Sequence, residues 1–118
     1  MVLSSAGGLY AISKSAFGVL VAFLDENGNP IVPSSVTWTL TDATGALING
    51  RLNQIVPAAQ TVTIGLSGKD IDYATTMSKR RVLTVTALYN STTFGPNTPD
   101  VDSISFPIAD TISGNIGP

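Results

Sequence analysis

The sequence predicts an all-β domain, an antiparallel β-sandwich of about seven strands with extended N- and C-terminal segments. Three features of the chain predict it. Apolar residues alternate with hydroxyl-bearing ones in Val36-Thr37-Trp38-Thr39-Leu40-Thr41, in Thr61 to Leu66 and in Arg81 to Tyr89, the period of a strand with one buried face. Turn residues punctuate these runs, first in Asp25-Glu26-Asn27-Gly28-Asn29-Pro30, between an apolar run and a returning one. No stretch carries a convincing helical period, and no internal repeat or linker divides the chain. At 118 residues it is one domain, long enough to bury a core without disulfide or metal.

Along the chain, Tyr10 to Ser13 reads as a short first strand and Phe17 to Leu24 as a stronger one. In the latter both alternating sets, Val19/Val21/Phe23 and Leu20/Ala22/Leu24, are apolar, so cover is expected on both faces, from the chain's own N-terminal segment or from a neighbouring subunit. Val36 to Thr41 is the third strand and Asp42-Ala43-Thr44-Gly45 its closing turn. Leu47 to Val56 is weaker, a short strand with a meandering link that ends at Pro57. Thr61 to Leu66 alternates cleanly, and Ser67 to Tyr73 is a corner with room for one helical turn. Arg81 to Tyr89 is the second long strand, Asn90 to Asp100 a Gly/Pro/Asn loop, and Ser103 to Ile108 the last strand, an edge or bulged one because Pro107 lacks a ladder donor.

This order of strands is that of an Ig-type sandwich over residues 10–110, with a 1–9 N-terminal arm and a 111–118 tail. Trp38, Val36, Leu40, Val62, Ile64, Leu83, Val85 and Phe106 are expected in the core. In that arrangement Val36–Thr41, Arg81–Tyr89 and Ser103–Ile108 share one sheet, whose outward residues are Thr37, Thr39, Thr41, Thr84, Thr86, Ser103 and Ser105. None of the seven is charged, and β-branched hydroxyl side chains lose little rotamer freedom on burial. They are the expected interface; high strand propensity is the competing explanation for the threonines.

Composition narrows the function classes. Charged residues make up 12% of the chain, about half the share typical of soluble domains, which fits a subunit held in an assembly as well as a Thr-rich monomer. A net charge of −2 argues against nucleic acid, whose phosphates need a basic face. The basic cluster Lys79-Arg80-Arg81 reads as a solvated strand end. With His 0 the chain lacks the commonest general base and zinc ligand, and Cys 0 leaves the redox compartment open. No secretory signal is read at the N-terminus, and the longest apolar run, Val19 to Leu24, is too short to cross a bilayer as a helix.

Few residues can be combined into chemistry. Asp25-x-Asn27-x-Asn29 has the oxygen spacing that opens a calcium loop, but Pro30 and Val36 stand where such a loop needs Gly and Glu, so a hairpin turn is the better reading. Asp70 and Asp72, beside Tyr73, and Asp100 and Asp102 are carboxylate pairs that read as solvent-facing turns. No Ser-x-x-Lys arrangement exists, and Asn90-Ser91-Thr92 reads as loop rather than glycosylation site. Tyr73, Tyr89 and Phe94 could form a shelf for a surface glycan, or simply plug the end of the core. The expectation is a protein that is not an enzyme, with no cofactor and no metal.

The run Asp25 to Thr41, with its D-x-x-G-N-P-I turn followed by V-T-W-x-L, resembles the bacterial Ig-like domains of invasin-type adhesins and of bacteriophage virion proteins. Trp38 falls where such domains place their buried tryptophan, and Arg81 to Tyr89 resembles their penultimate strand. The T-x-x-x-G-x-A segment of the adhesin pattern is missing, and the chain reads as one complete domain rather than part of an exported tandem array. The resemblance therefore implies a virion protein made in a host cytoplasm, most simply a capsid decoration or cement protein binding copies of itself and a major capsid or other virion protein. A tail or neck accessory protein and an Ig-like adhesin or carbohydrate-binding module are the alternatives.

Overall fold

A computed structural model of the chain describes residues 1–5, 11–12, 14–72 and 79–109. Among the described residues eight strands follow one another: β1 (Val2–Ser5), β2 (Ala11–Ile12), β3 (Lys14–Ala22), β4 (Ser35–Asp42), β5 (Gln54–Val56), β6 (Thr61–Gly68), β7 (Arg80–Ser91) and β8 (Gly95–Ala109), with one 3₁₀ turn at Lys69–Ile71. They form a three-stranded sheet in the order β1-β3-β6 and a five-stranded sheet in the order β2-β8-β7-β4-β5. All pairings are antiparallel except the two-residue contact of β2 with β8. The domain is thus an all-β sandwich.

The alternating sets meet between the sheets. Val36, Trp38 and Leu40 of β4, Leu83 and Val85 of β7 and Phe106 of β8 are buried against Val62 and Ile64 of β6 and against Phe17, Val19 and Val21 of β3. Phe17 and Phe106 stack across the two layers with ring centroids 4.4 Å apart. Edge-on entry to the sandwich is set by two turns built alike. At Asp25 and at Asp42, Oδ1 accepts the N–H groups of the residues two and four positions on, and the N–H of Gly28 or Gly45 closes on the aspartate carbonyl. Both glycines have positive φ, 84° and 91°, which a side chain would strain.

Several boundaries differ from those read in the sequence. Residues 2–5, taken as part of an arm outside the sandwich, are the edge strand of the small sheet, Leu3 opposite Val21. They lie beside β3 rather than over it, so no described residue covers its outer side, where Leu20 remains 40% exposed. The strand itself ends at Ala22, and Leu24 makes only an isolated bridge to Pro30. Asn90 to Asp100 is not a loop: β7 and β8 continue as a ladder to Ser91 and Gly95, with a tight turn at 92–94. Pro99 and Pro107 are tolerated because of where their missing N–H groups point. The Ile108 N–H donates to the Lys79 carbonyl and the Leu88 carbonyl turns away to accept from Ser34, so Pro99 and Pro107 direct their backbone groups to the side of β8 away from β7, which β2 covers only at Ile108 and Ala109. Tyr10, Ser13, Tyr73 and the 111–118 tail lie outside the described residues.

Candidate interaction surface

The outward face of the five-stranded sheet is assembled by register. Thr37 sits opposite Thr86 and Ile55, and Thr86 opposite Val101, so one row reads Ile55, Thr37, Thr86, Val101 across β5, β4, β7 and β8. The next row is Thr39, Thr84, Ser103, and the next Thr41, Val82, Ser105. Ile55 is 86% exposed and Val101 59%. The five threonines are half-buried by one another, and Ser103 and Ser105 are exposed. All seven residues of the expected interface therefore share one face.

Two details change its character. Arg80 lies on the same face at one end, its guanidinium donating to the Ser105 hydroxyl at 3.2 Å, so the face is not wholly without charge. Thr39 is committed locally: its hydroxyl oxygen accepts the Asn53 N–H at 3.0 Å and so holds the loop that leads into β5. Sequence reading missed Ile55 and Val101. The signal for Val101 was present, since it continues the 101/103/105 alternation upstream of where the last strand was taken to begin. Ile55, in a three-residue strand ahead of Pro57, has no such period to announce it.

The charged residues are mostly engaged elsewhere. Arg81, taken with Lys79 and Arg80 as a solvated strand end, is fully buried: Nε donates to the Asp70 carbonyl at 2.9 Å, one terminal nitrogen to the Asp72 carbonyl at 3.3 Å and the other to the Arg80 carbonyl at 3.1 Å. It shares the inward parity of Leu83 and Val85, which is why the strand carries it inside. Asp70 and Asp72, expected to face solvent, are buried with it. The Asp70 carboxylate accepts bonds from Arg51 Nε and the Asn49 amide, both at 2.9 Å, and from the Ser67 N–H at 3.1 Å. This is a satisfied corner that fastens the 47–53 loop and the 3₁₀ turn to the sandwich.

Burial raises the Asp70 carboxyl, but the bonds from Arg51, Asn49 and Ser67 outweigh it and hold the group below its ordinary range. The unfolded chain then takes up the proton first, near pH 4, so stability present above that pH falls as acid protonates the folded carboxyl. The wild-type melting temperature should accordingly drop below about pH 4. Asp70→Asn should lower stability at neutral pH by about 2–3 kcal/mol and flatten this part of the acid limb. Parallel acid limbs in the two proteins would overturn the assignment.

Metal and glycan readings gain nothing from the geometry. Among the described residues no group of three or more Asp or Glu side chains is placed to hold an ion. Asp25 spends its Oδ1 on the turn, Asp100 pairs with the N-terminal ammonium at 3.0 Å, and Asp102 accepts the Ser103 N–H at 2.8 Å. Tyr89 is buried while Phe94 stands exposed on the β7–β8 turn, so the two do not form a shelf. Ser91, at the same end, donates its hydroxyl to Glu26 and accepts the Thr93 and Phe94 N–H groups, which organises the turn. Compared with family models, with curated proteins and with solved structures, the chain matches none.

Proposed function

We propose that the chain is a structural, non-enzymatic virion protein that works by docking the face around Thr37, Thr86, Ile55 and Val101 onto a larger shell protein, as a capsid decoration or cement protein does. The observation that carries this reading is the row itself: two exposed aliphatics and two threonines in line across four strands, with Arg80 at one end as the charge on the face. Sheet faces open to water normally intersperse Lys and Glu, which keep them soluble and unpaired. A face of rigid side chains with its charge confined to one end loses little entropy when covered and leaves its centre without an ion to desolvate. The virion assignment rests on the resemblance of the Asp25–Thr41 run to phage Ig-like domains.

The reading predicts the outcome of a charge placed at the centre of the face. Thr86→Arg should fold as the wild type does, within about 0.5 kcal/mol, because the position is a strand surface. Expressed with the genes that flank its own, the wild-type chain should co-sediment with assembled particles at fixed stoichiometry, and the variant should be lost from them. Particles that retain Thr86→Arg at wild-type occupancy would place docking elsewhere.

A further inference from the structure

The open edges of the two sheets are not equally protected against pairing, and β8 counts among them because β2 covers it only at Ile108 and Ala109. β5 has three residues and β1 four, too short to template another strand. β8 turns Pro99 and Pro107 to its side away from β7, where neither offers a donor, and Asp102 takes up the Ser103 N–H. β6 has no such device. Its eight residues, Thr61-Val62-Thr63-Ile64-Gly65-Leu66-Ser67-Gly68, include no charge and no proline.

The bonding on its β3 side shows which groups remain. The Phe23 N–H donates to the Gln60 carbonyl at 3.0 Å, and the register continues Val21 opposite Val62, Val19 opposite Ile64 and Phe17 opposite Leu66. Alternation along an antiparallel ladder therefore gives the even-numbered residues to β3 and turns the N–H and C=O groups of Thr61, Thr63 and Gly65 outward. The Ser67 N–H, of the same set, agrees: it leaves the ladder to reach Asp70. No described residue bonds to the backbone groups of Thr63 or Gly65, and both residues are exposed.

We infer that β6 is a self-pairing edge, and that a second copy of this chain adds its own β6 antiparallel to it. In a two-fold arrangement centred on Ile64, Thr63 of each copy faces Gly65 of the other and the two exchange N–H···O=C bonds in both directions. Thr61 N–H then meets the Ser67 carbonyl, the one backbone group of Ser67 still free. Gly65 has open space where a Cβ would stand, so the side chain of the opposing Thr63 is accommodated beside it. The outward side chains along the seam, Thr61, Thr63 and Ser67, bring no like charges together. The strand thus complements itself, and the small sheets of two copies merge into one of twice the strands. Two-fold dimers are the commonest closed homo-oligomers. It uses the opposite sheet from the docking face proposed above and stands independently of it.

Sedimentation and amide hydrogen exchange across a dilution series test this. The wild-type chain should be a dimer that dissociates on dilution, with the Thr63 and Gly65 amides protected in the dimer and exchanging freely in the monomer. Thr63→Pro removes an edge-facing N–H that β3 does not use, and should weaken dimerisation at least tenfold, while Thr86→Arg should leave it unchanged. A wild-type chain that stays monomeric, a dimer whose Thr63 and Gly65 amides exchange freely, or a dimer dissociated by Thr86→Arg overturns the inference. If Thr63→Pro does not fold, the exchange pattern of the wild type decides alone.

Discussion

Arg81→Ala is expected to destabilise the domain by about 3–5 kcal/mol, a large part of the stability of a domain this size. The side chain is fully buried, and its donors satisfy the carbonyls of Asp70, Asp72 and Arg80, the first two in buried bonds. Burial lowers its pKa, and the neighbouring carboxylates of Asp42, Asp72 and Asp70 push back, so the guanidinium shares with Arg51 the balancing of the corner's acids. Deleting it leaves unpaired carbonyls and buried acid together, the costliest combination a point change can produce. Arg81→Lys should recover only part of the loss, since one ammonium on a flexible stem cannot reach three carbonyls in the directions a planar fork does. Arg80→Ala, one residue away but exposed and bonded to Ser105 at the surface, should cost below about 1 kcal/mol. Chemical denaturation of the three variants checks the ordering. Equal losses from Arg80→Ala and Arg81→Ala would mean that the corner is solvated after all.

The contrast between these neighbours explains how much of the molecule can be read from its sequence. Val36 to Leu40, Val62 to Leu66 and Leu83 to Val85 are legible because one face of each is buried, and a period of two is the direct imprint of that burial. Arg81 occupies an inward position of the same alternation, yet its polarity reads as solvent, because the acceptors that make burial affordable are backbone carbonyls of a 3₁₀ turn eleven and nine residues earlier. Backbone partners leave no trace in side-chain composition. Residues 90–100 were hidden by the opposite effect: proline, glycine and asparagine signal a loop by propensity, and only the sheet order reveals that Pro99 faces the side of β8 where a donor is not needed. For the interaction surface, the seven hydroxyl residues follow from alternation. Ile55 and Val101 join them through cross-strand register, a relation between distant segments that no local pattern encodes.

Trp38→Ala should cost about 3–5 kcal/mol, and it reports on different physics. Trp38 is 8% exposed at the centre of β4, packed in the cluster that joins the two sheets, so truncation opens a cavity that the surrounding strands can only partly fill. Its ring also supports the Arg51 guanidinium, 5.7 Å from the ring centroid, the same group that bonds Asp70. Core packing and the polar corner therefore meet at this residue. Trp38→Phe keeps an aromatic face in the same place and should cost well under the alanine change, by about half. A double-mutant cycle of Trp38→Ala with Arg51→Ala should give a coupling of about 0.5–1 kcal/mol, the size of a partly exposed cation–π contact, and a coupling of zero would show that the ring and the guanidinium are merely adjacent. Intrinsic fluorescence gives the direct check, since Trp38 is the one tryptophan of the chain. Its emission should be blue-shifted in the native state and move to that of a hydrated indole in a single transition with unfolding. Emission already at the hydrated position in the native protein, together with an unchanged melting temperature for Trp38→Ala, would refute its place between the sheets.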